Sequence, residues 1–526
     1  MNNNENISNL YSILYKEEGW LNKRTVLRNK LEAIQKLGFY GDAQSIHVLV
    51  RFLNHSSSEL RSAAIKSIGN LFKRLDTKKA YESSLRHCNI TKSDIRQYLR
   101  NYSQDEIIYP LAIASLNSSG YIREEALRKI HDLKLSSSLL PFVIYRLGDW
   151  VPEVRNAAKV NYLKVLTDEN WEIIIEQLDL IFWLQTVQRV NLSKSYNRII
   201  DYLIKGNESK TLSKFPELKE KNRFELAKAI LKQESISQDA TQILLKDKSY
   251  LVRSKLAESI NLIKDPQSII KILERDKSST VRQKCLESRI KIKSEFKKID
   301  FKEFLNDKSS TIRNLARFCL KDSSIDFLKH YQDNLSSEKY VEPSIYGIGE
   351  VGDKTNVAQL KPYLDSSNTK LKKAAIRTVL KLDSSAINEE LVKELDSKTS
   401  SIRRLAREHL SISPSEEVLR KCRLIYSTGD ISLKLSMLSF FGHNCSHKTL
   451  PDLLEAISDK DEVISNAAWS HITNWKKKSI SNYSTPSKGD KEKARIIYER
   501  TKFKNELSHK KKKLWDELPY FGRFDK

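Results

Sequence analysis

Glycine, proline and long hydrophobic runs are all scarce in this sequence. Its 526 residues include 14 glycines and 11 prolines, far fewer than average usage of about 7% and 5% would supply. So few turn-forming residues exclude a protein built from many β-hairpins and predict an all-α class. The most apolar run, 173–184, is interrupted by Glu176, Gln177 and Asp179. The sequence therefore lacks the run of about 18 apolar residues that spans a membrane.

Cysteine is scarce as well. The five cysteines lie far apart, and none belongs to a Cys-x-x-Cys pair. An odd number of widely spaced cysteines is typical of a reduced intracellular compartment. The N-terminal segment also lacks the basic and apolar regions of a signal peptide. We therefore expect a cytoplasmic protein without a transmembrane segment.

Positive charge, in contrast, is abundant. Lys and Arg number 92 and Asp and Glu number 67, which gives a formal net charge of +25. A field of this size favours an acidic partner, which includes nucleic acid, an anionic membrane surface and an acidic protein face. The same charge also keeps a long molecule soluble, so net charge alone does not select among these partners.

One phrase recurs three times between Asp247 and Leu320, as DKSYLVRSKLAESI, DKSSTVRQKCLESRI and DKSSTIRNLARFCL. Each copy has an aspartate, an arginine six residues later, and then small and apolar residues at helical spacing. The arginines are Arg253, Arg282 and Arg313, which are separated by 29 and 31 residues. A period of this length indicates stacked repeats, each of which packs on its neighbours.

Each repeat is predicted to contain two helices. The apolar period breaks twice in every step, once at a Gly-Asp turn and once at a turn rich in Asp, Ser and Asn. Counting the arginine position or its equivalent gives about fifteen repeats over residues 27–475. The expected fold is an all-α solenoid of about fifteen stacked helix pairs that forms a curved superhelix.

The order of signals within a repeat resembles the HEAT-repeat superfamily, and is closest to its short bacterial HEAT-like variety of about 31 residues. The phrase IGEVGDKTNVAQLKPYL shows this order, with a helix that ends in Ile-Gly, a turn and a second helix. The resemblance implies a ladder of hydrogen bonds between the turn aspartates and the arginines of adjacent repeats. The turn aspartate is also placed to cap the following helix. The predicted ladder residues are Asp149, Arg155, Asp247, Arg253, Asp276, Arg282, Asp307 and Arg313.

Segments of different character flank the predicted array. Residues 1–26 are expected to form an N-terminal arm and a capping helix at 7–20, because the terminal repeat of a solenoid needs a cover. The array occupies residues 27–475, with an irregular part at 167–221 where the repeat register is poorly defined. The best loop candidate inside it is 206–221. Residues 476–526 are predicted to form a basic linker and a helix.

The C-terminal segment is the most basic part of the chain. Residues 476–526 contain 16 Lys and Arg against 7 Asp and Glu. Basic residues interleaved with aromatic ones suit contact with phosphates and stacking on bases. Two other interpretations are a tail that folds back over the final repeat, and a docking peptide that inserts Trp515, Leu518 and Phe521 into a partner. The candidate binding residues are Lys476, Lys477, Lys478, Lys510, Lys511, Lys512, Lys513 and Trp515.

Metal chemistry has one weak candidate, which is the group of His443, Cys445 and His447. A structural zinc site needs four ligands, and the period places these residues in a turn, where polar residues are expected. The sequence therefore predicts no metal and no cofactor.

Enzyme signatures are also missing. The chain has neither a phosphate-cradling glycine loop nor a nucleophile elbow. It also lacks the His-Glu dipeptides of the HEAT-repeat iron hydroxylases. The HEAT-like DNA glycosylases place an acidic residue beside tryptophans, and only Asp149 with Trp150 and Trp171 imitates that arrangement.

The leading hypothesis is a non-enzymatic scaffold or adaptor that binds a protein partner on its concave face. The alternative is a solenoid that binds DNA or RNA through a basic surface and the C-terminal tail. A glycosylase-like enzyme ranks third. Lys and Arg concentrated on the second helices would favour nucleic acid, whereas scattered charge would indicate solubility. The sequence does not specify an oligomeric state.

Overall fold

The structure is a computed structural model that describes residues 3–18, 23–74, 84–133, 138–291, 301–443, 446–479, 485–501 and 508–524. Within these ranges the chain is mainly α-helical and has no β-strand, which confirms the all-α class. The sequence predicts one uninterrupted array, whereas the chain divides into two compact units. These are Met1–Phe296, the N-terminal unit, and Lys297–Lys526, the C-terminal unit.

The described part of the N-terminal unit contains eighteen α-helices, numbered α1 to α18, together with short 3-10 helices and one π-helix. The α-helices are Asn3–Leu14 (α1), Lys23–Tyr40 (α2), Ala43–Leu49 (α3), Ser58–Arg74 (α4), Lys92–Asn101 (α5), Ile108–Leu116 (α6), Gly120–His131 (α7), Leu140–Arg146 (α8), Pro152–Val165 (α9), Trp171–Ile175 (α10), Leu178–Trp183 (α11), Ser193–Asp201 (α12), Glu208–Lys214 (α13), Glu220–Ile230 (α14), Gln238–Leu245 (α15), Tyr250–Glu258 (α16), Gln267–Leu273 (α17) and Ser279–Lys291 (α18). The 3-10 helices are Val50–Phe52, Ser84–His87, Asp168–Asn170, Leu184–Thr186, Phe215–Glu217 and Ile260–Leu262. The π-helix, Tyr202–Gly206, continues α12.

The C-terminal unit continues the numbering from α19 to α33 in its described residues. Its α-helices are Phe301–Phe304 (α19), Ser310–Cys319 (α20), Phe327–Asp333 (α21), Val341–Val351 (α22), Val357–Leu360 (α23), Thr369–Leu382 (α24), Asn388–Lys393 (α25), Ser400–Leu410 (α26), Glu416–Thr428 (α27), Ile431–Phe441 (α28), Leu450–Ala456 (α29), Glu462–Ser479 (α30), Lys488–Arg500 (α31), His509–Asp516 (α32) and Leu518–Phe521 (α33). Its 3-10 helices are Asn334–Ser336, Lys354–Asn356, Lys361–Tyr363 and Glu394–Asp396.

The second helices of successive repeats pack side by side in each unit. In the N-terminal unit α7 packs on α9, and α14, α16 and α18 form a row. In the C-terminal unit α20, α22, α24, α26, α28 and α30 form a longer row. Packing of each repeat on its neighbours is what defines a solenoid. The chain is therefore an all-α solenoid of stacked helix pairs, as predicted.

Apolar residues at helical spacing hold each repeat to the next. Val252, Leu256 and Ala257 of α16 are fully buried, as are Ile312 and Ala316 at equivalent positions of α20. Burial of one such aliphatic side chain stabilises the fold by roughly 1.5–3 kcal/mol. The recurring phrase in the sequence is thus the buried stripe of a second helix.

The N-terminal helix differs slightly from its predicted position. A helix was expected from residue 7 to residue 20, whereas α1 begins at Asn3 and ends at Leu14. Leu10 and Leu14 are buried, and the Tyr11 hydroxyl lies 2.9 Å from Ser45 Oγ. The helix packs on α2 and so covers the first helix pair.

The loop predicted at 206–221 is wrong. Helix α13 and the 3-10 helix Phe215–Glu217 occupy most of it, because Leu212 and Phe215 supply a buried apolar stripe. Gly206 and Pro216, which flank this stripe, conceal the short helical pattern in the sequence.

The predicted C-terminal linker is also partly wrong, because residues Lys488–Arg500 form α31. Its cap is Ser487, whose hydroxyl accepts the N–H of Asp490 at 3.1 Å. Beyond it, Leu518 and Phe521 of α33 are buried, and the Phe521 ring lies 5.9 Å from that of Trp475. The tail thus covers the last repeat, which contradicts the docking-peptide interpretation.

None of the helices in the described part of the chain combines the length and the apolar composition needed to cross a membrane.

A candidate binding surface on the second helices of the C-terminal unit

Each arginine of a complete ladder rung makes two kinds of hydrogen bond. Arg253 Nη1 donates to the backbone carbonyl of Asp247 at 2.6 Å, within its own repeat. Its Nε and Nη2 donate to the Asp276 carboxylate of the next repeat at 2.6 and 3.0 Å. That carboxylate also accepts the Ser278 N–H at 2.7 Å. One guanidinium thereby joins two neighbouring repeats through bidentate, charge-assisted bonds.

The other predicted ladder residues have the same local geometry. Three further arginines donate Nη1 to the carbonyl of the aspartate six residues earlier, and the pairs are Arg155 with Asp149, Arg282 with Asp276, and Arg313 with Asp307. Bonds to a carboxylate of a later repeat join Arg123 with Asp149, Arg223 with Asp247, and Arg313 with Glu350. Sequence reasoning missed Arg123 and Arg223 as ladder members, although they lie 26 and 24 residues before their aspartates, close to the 23 residues from Arg253 to Asp276.

The turn aspartates do not themselves cap the following helices. The N-cap residues of α9, α16 and α20 are Val151, Ser249 and Ser309. Each turn carboxylate lies two residues earlier and accepts the N–H of that N-cap residue. The aspartate therefore closes the turn that precedes the helix.

Asp149 is the most enclosed of these carboxylates, with 2% of its surface exposed. It accepts bonds from Arg123 and Arg146 at 2.8–2.9 Å and from the Val151 N–H at 2.9 Å. Burial by itself would raise the pKa of Asp149. The hydrogen bonds from Arg123 and Val151 and the charge of Arg146 outweigh burial and hold that pKa below its ordinary value.

This arrangement does not support the catalytic role that the glycosylase hypothesis gives to Asp149. The carboxylate of Asp149 is occupied on both oxygens, so it is not available to a ligand. Trp150 is 75% exposed, with the Arg189 guanidinium 5.0 Å from its ring centre. Trp171 is buried and donates its indole N–H to Thr211 Oγ1 at 2.9 Å. The three residues thus have separate structural surroundings rather than one pocket.

The histidines of the metal candidate have different surroundings. His443 is exposed, whereas His447 is buried with its ring edge-on to Trp475 at 5.2 Å. Cys445 lies outside the described residues. Across the part of the chain that is described, no group of three or more His, Cys, Asp or Glu side chains is arranged to hold a metal ion.

Lysine takes the place of arginine at two later rungs. Lys372 donates to Glu394 at 2.6 Å, and Lys434 donates to Asp459 at 3.1 Å. Lysine–carboxylate pairs therefore continue the contacts between repeats at these positions. The equivalent position of the last repeat is the uncharged Ser465, whose hydroxyl donates to the Ile457 carbonyl at 2.7 Å.

The rung of α26 has a different acceptor. Arg403 Nη1 donates to the Ser397 carbonyl at 2.6 Å, in the usual manner. Its Nη2 donates to Ser432 Oγ at 2.9 Å, and one turn later Arg407 Nη1 donates to Ser436 Oγ at 3.3 Å. Within the described ranges neither guanidinium forms an ion pair. The hydroxyls of α28 thus stand where other rungs have carboxylates.

Positive charge in the same part of the molecule is concentrated on two second helices. Helix α24, with sequence TKLKKAAIRTVLKL, has five basic residues and no acidic one, and α26 has three arginines and one glutamate. The first helix between them, α25, has the acidic sequence NEELVK, whereas the next first helix, α27, has the mixed sequence EEVLRKCRLIYST. We define the basic surface as Lys373, Arg377, Lys381, Arg403 and Arg407, and Arg404 is not part of it because it pairs with Glu408.

Residues of α24 present this charge on one side. Lys373, Arg377 and Lys381 are spaced by four residues and so share a helix face. Arg377 and Lys381 are exposed and Lys373 is half-buried. Exposed cations that are not neutralised by neighbouring carboxylates keep their field available to a partner.

Several predicted residues of the C-terminal tail have partners within the unit. Lys476 forms an ion pair with Glu517. Lys478 donates to the His443 carbonyl at 3.3 Å, and Lys511 donates to Asn466 Oδ1 at 2.9 Å.

Trp515 is stacked on Tyr498, with ring centres 4.4 Å apart, and meets the edge of Trp469 at 6.2 Å. It is therefore part of the cover over the last repeat. The remaining predicted residues are exposed, and they are Lys477, Lys510, Lys512 and Lys513.

The irregular segment forms an open cleft of about 670 Å³ between α12, its π-helical continuation and α14. Four of its six charged lining residues form two ion pairs, and the six include three acidic and three basic residues. Lys205 lies 2.9 Å from Asp201 and Lys228 lies 2.7 Å from Glu225. Because these charges cancel locally, the cleft lacks the uncompensated charge of the basic surface.

The stacked helix pairs and the cationic rungs define the protein as an all-α solenoid. No protein-family model and no curated protein matches the chain.

Solved structures with some similarity include a crystal structure of importin beta, at 11% identity over 99% of this chain and 84% of that chain, with a TM-score of 0.30. The S. pombe condensin Cnd3–Cnd2 subcomplex aligns at 14% identity over 95% of this chain and 76% of that chain, with a TM-score of 0.34. An engineered protein aligns at 14% identity over 90% of this chain and 99% of that chain, with a TM-score of 0.21. Likenesses this weak carry no functional argument, and the solenoid class rests on the packing within this chain.

Proposed function

We propose that the protein is a non-catalytic scaffold that binds a protein partner with an acidic face along the second helices of the C-terminal unit. The observation that carries this proposal is the basic surface on α24 and α26, beside the acidic first helix α25. Complementary potentials of this kind steer association and fix the orientation of a partner.

Basic residues on second helices would by themselves favour nucleic acid, but the small extent of the basic surface makes a protein the first candidate. Helix α22, which packs next to α24, carries Glu342 and Glu350 and no basic residue. Glu350 is already engaged by Arg313 and Arg317. A phosphate backbone is best held by a long cationic track, whereas a bounded acidic patch on a protein fits a bounded basic surface.

A charge-matched pair of variants tests this proposal. One variant replaces Lys373, Arg377 and Lys381 of the basic surface with glutamine. The control removes the same charge from exposed residues of the first-helix layer, through Lys361→Gln, Lys393→Gln and Arg420→Gln.

Immobilised wild-type protein and both variants are incubated with nuclease-treated lysate from the cells that make the protein. We expect wild type and control to retain the same protein and the basic-surface variant to lose it. Equal retention by all three would contradict a role for the basic surface, and loss of retention in all three after nuclease treatment would indicate nucleic acid.

A second candidate function is nucleic-acid binding. It is favoured by the exposed lysines of α30 and α32, which are Lys477, Lys510, Lys512 and Lys513. Its test is a salt titration with single-stranded oligonucleotides. Phosphate contact predicts a linear fall of log affinity with log salt concentration, and no binding at low salt would end this candidate.

A further inference from the structure

We propose that Arg403 and Arg407, with the hydroxyls of Ser432 and Ser436, form a site for a phosphate monoester, such as a phosphoserine side chain of the partner. The nature of the partner rests on the proposed function, whereas the anion site rests on its own geometry. At this rung two guanidiniums face hydroxyl groups, whereas the rungs on either side pair lysine with carboxylate.

The geometry of the rung is arranged before any ligand binds. Ser432 and Ser436 are four residues apart on α28, which places their hydroxyls about 6 Å apart along one face. Arg403 and Arg407 reach them from one face of α26. The bond from Arg403 Nη1 to the Ser397 carbonyl fixes the orientation of its guanidinium. A bound anion therefore needs little rearrangement of these side chains.

The positive charge at this rung is not balanced. Arg403 and Arg407 are both half-buried. Burial lowers the pKa of the Arg407 guanidinium, and the charges of Arg404 and Arg403 lower it further, against an opposing effect of Glu408. His471 of α30 is also near Arg407, since burial and the Arg407 charge both lower its pKa. An anion placed between the guanidiniums would relieve this repulsion.

The number of donors favours phosphate over carboxylate. Elsewhere in the array the Arg253 guanidinium is satisfied by a single carboxylate. Here two guanidiniums and two hydroxyls lie on facing helices, in two hydrogen-bonded pairs one turn apart. A phosphate monoester carries a charge of about −1.5 to −2 at neutral pH and three acceptor oxygens, so it can use both guanidiniums. A carboxylate or a phosphodiester has only one charge to offer.

Calorimetric titration of the full-length protein with N-acetyl-O-phosphoserine amide tests the inference at constant ionic strength. The test variant is Arg403→Gln with Arg407→Gln. Arg404→Gln is the control, because Arg404 is exposed on the same helix and pairs with Glu408. We expect binding to wild type, weakening by about tenfold or more in the double variant, and a change within about twofold in the control.

Three results would overturn the site. They are no binding of the probe to wild type, equal weakening by Arg404→Gln, and equal affinity for acetate or for dimethyl phosphate, the last of which would indicate a nucleic-acid backbone. If the arginine variant does not fold, Ser432→Ala with Ser436→Ala keeps the charge and removes the hydroxyls. This variant should bind the probe several-fold more weakly, and unchanged affinity would overturn the site.

Different experimental results would contradict the phosphate site and the proposed scaffold function. Probe binding without retention of any protein from the lysate would contradict the proposed function and leave the anion site standing. A protein from the lysate could also be retained equally with and without phosphatase treatment, and equally by wild type and the Arg403/Arg407 variant. That result would contradict a phosphate site in the partner interface, and it would not affect the scaffold proposal.

Discussion

The rung of α16 in the N-terminal unit and the rung of α26 in the C-terminal unit begin with the same bond and end differently. Arg253 and Arg403 each donate Nη1 to a carbonyl six residues earlier. Arg253 then meets the Asp276 carboxylate, whereas Arg403 meets the Ser432 hydroxyl. The first arginine is neutralised inside the protein, and the second keeps its charge for a ligand. One repeat position therefore serves stability in one unit and binding in the other.

The largest effect is expected from removal of an enclosed ladder carboxylate. Asp149→Ala would leave the guanidiniums of Arg123 and Arg146 buried without their acceptor. Breaking a buried pair in this way costs about 3–5 kcal/mol of the free energy of unfolding. Denaturant unfolding followed by circular dichroism measures the loss.

The matched control is Asp179→Ala, because Asp179 forms an exposed pair with Lys219 at 2.9 Å. Exposed pairs contribute at most about 1 kcal/mol. Similar losses for the two variants would show that Asp149 is no more important to stability than a surface carboxylate.

The comparison itself is tested by the same substitution at the two rungs. Arg253→Met leaves the Asp276 carboxylate without its guanidinium, and we expect a loss of about 2–3 kcal/mol. Arg403→Met leaves only the Ser432 hydroxyl, and we expect about 1 kcal/mol or less. Hydrogen exchange of the amides in α16 and α26 reports the two local free energies. Equal losses would contradict the distinction between the rungs.

Acid should weaken the ladder through its carboxylates. The pKa values of Asp149 and Asp276 are lowered in the folded protein, because arginine and backbone hydrogen bonds outweigh burial. Their contribution is therefore present above the unfolded value of about 3.9 and is lost as the pH falls through the folded value. Denaturant unfolding at a series of pH values should show stability falling below about pH 4.

The pKa of Asp452, in the C-terminal unit, is shifted in the opposite direction. Burial raises its pKa against the effect of Arg423, so protonation of this group favours the folded state. In Asp452→Asn we therefore expect the fall in stability below about pH 4 to be steeper than in wild type. A shallower fall would contradict this assignment.

Much of the fold was predictable from sequence because the repeat is a local pattern. The spacing from Asp247 to Arg253 recurs along the chain and reports both the helix pair and the bonds inside a turn. The acceptor of an arginine in the next repeat was less accessible, since it depends on how two helices pack. Glu350 lies 37 residues after Arg313, and Ser432 lies 29 after Arg403, so one fixed spacing does not find both.

The candidate site was missed for the same reason. Ser432 and Ser436 carry no sequence signal of their own, and the charge of α24 and α26 is one part of a chain that is basic overall. The tail was predicted as a binding segment because its lysines are consecutive in sequence. Packing of Trp515 on Tyr498 and Trp469 joins α32 to α31 and α30. No periodicity in the sequence predicts these contacts.

The smallest effect on stability is expected from converting the α26 rung into one of the ladder type. Ser432→Asp places a carboxylate opposite Arg403, and an exposed pair of this kind adds about 0.5–1 kcal/mol. The aspartate would also occupy the guanidinium, so affinity for N-acetyl-O-phosphoserine amide should fall although stability rises. Ser458→Asp adds the same charge at an exposed position after α29 and should change neither property strongly.

An aspartate near the start of α28 also interacts with the helix dipole, and a double-mutant cycle with Arg403→Met separates the two effects. Coupling between positions 403 and 432 would show that the added stability comes from the pair. If Ser432→Asp gains stability without coupling and still binds the probe as wild type does, the hydroxyl at 432 is not what keeps Arg403 available, and the contrast between the two rungs fails at its central residue.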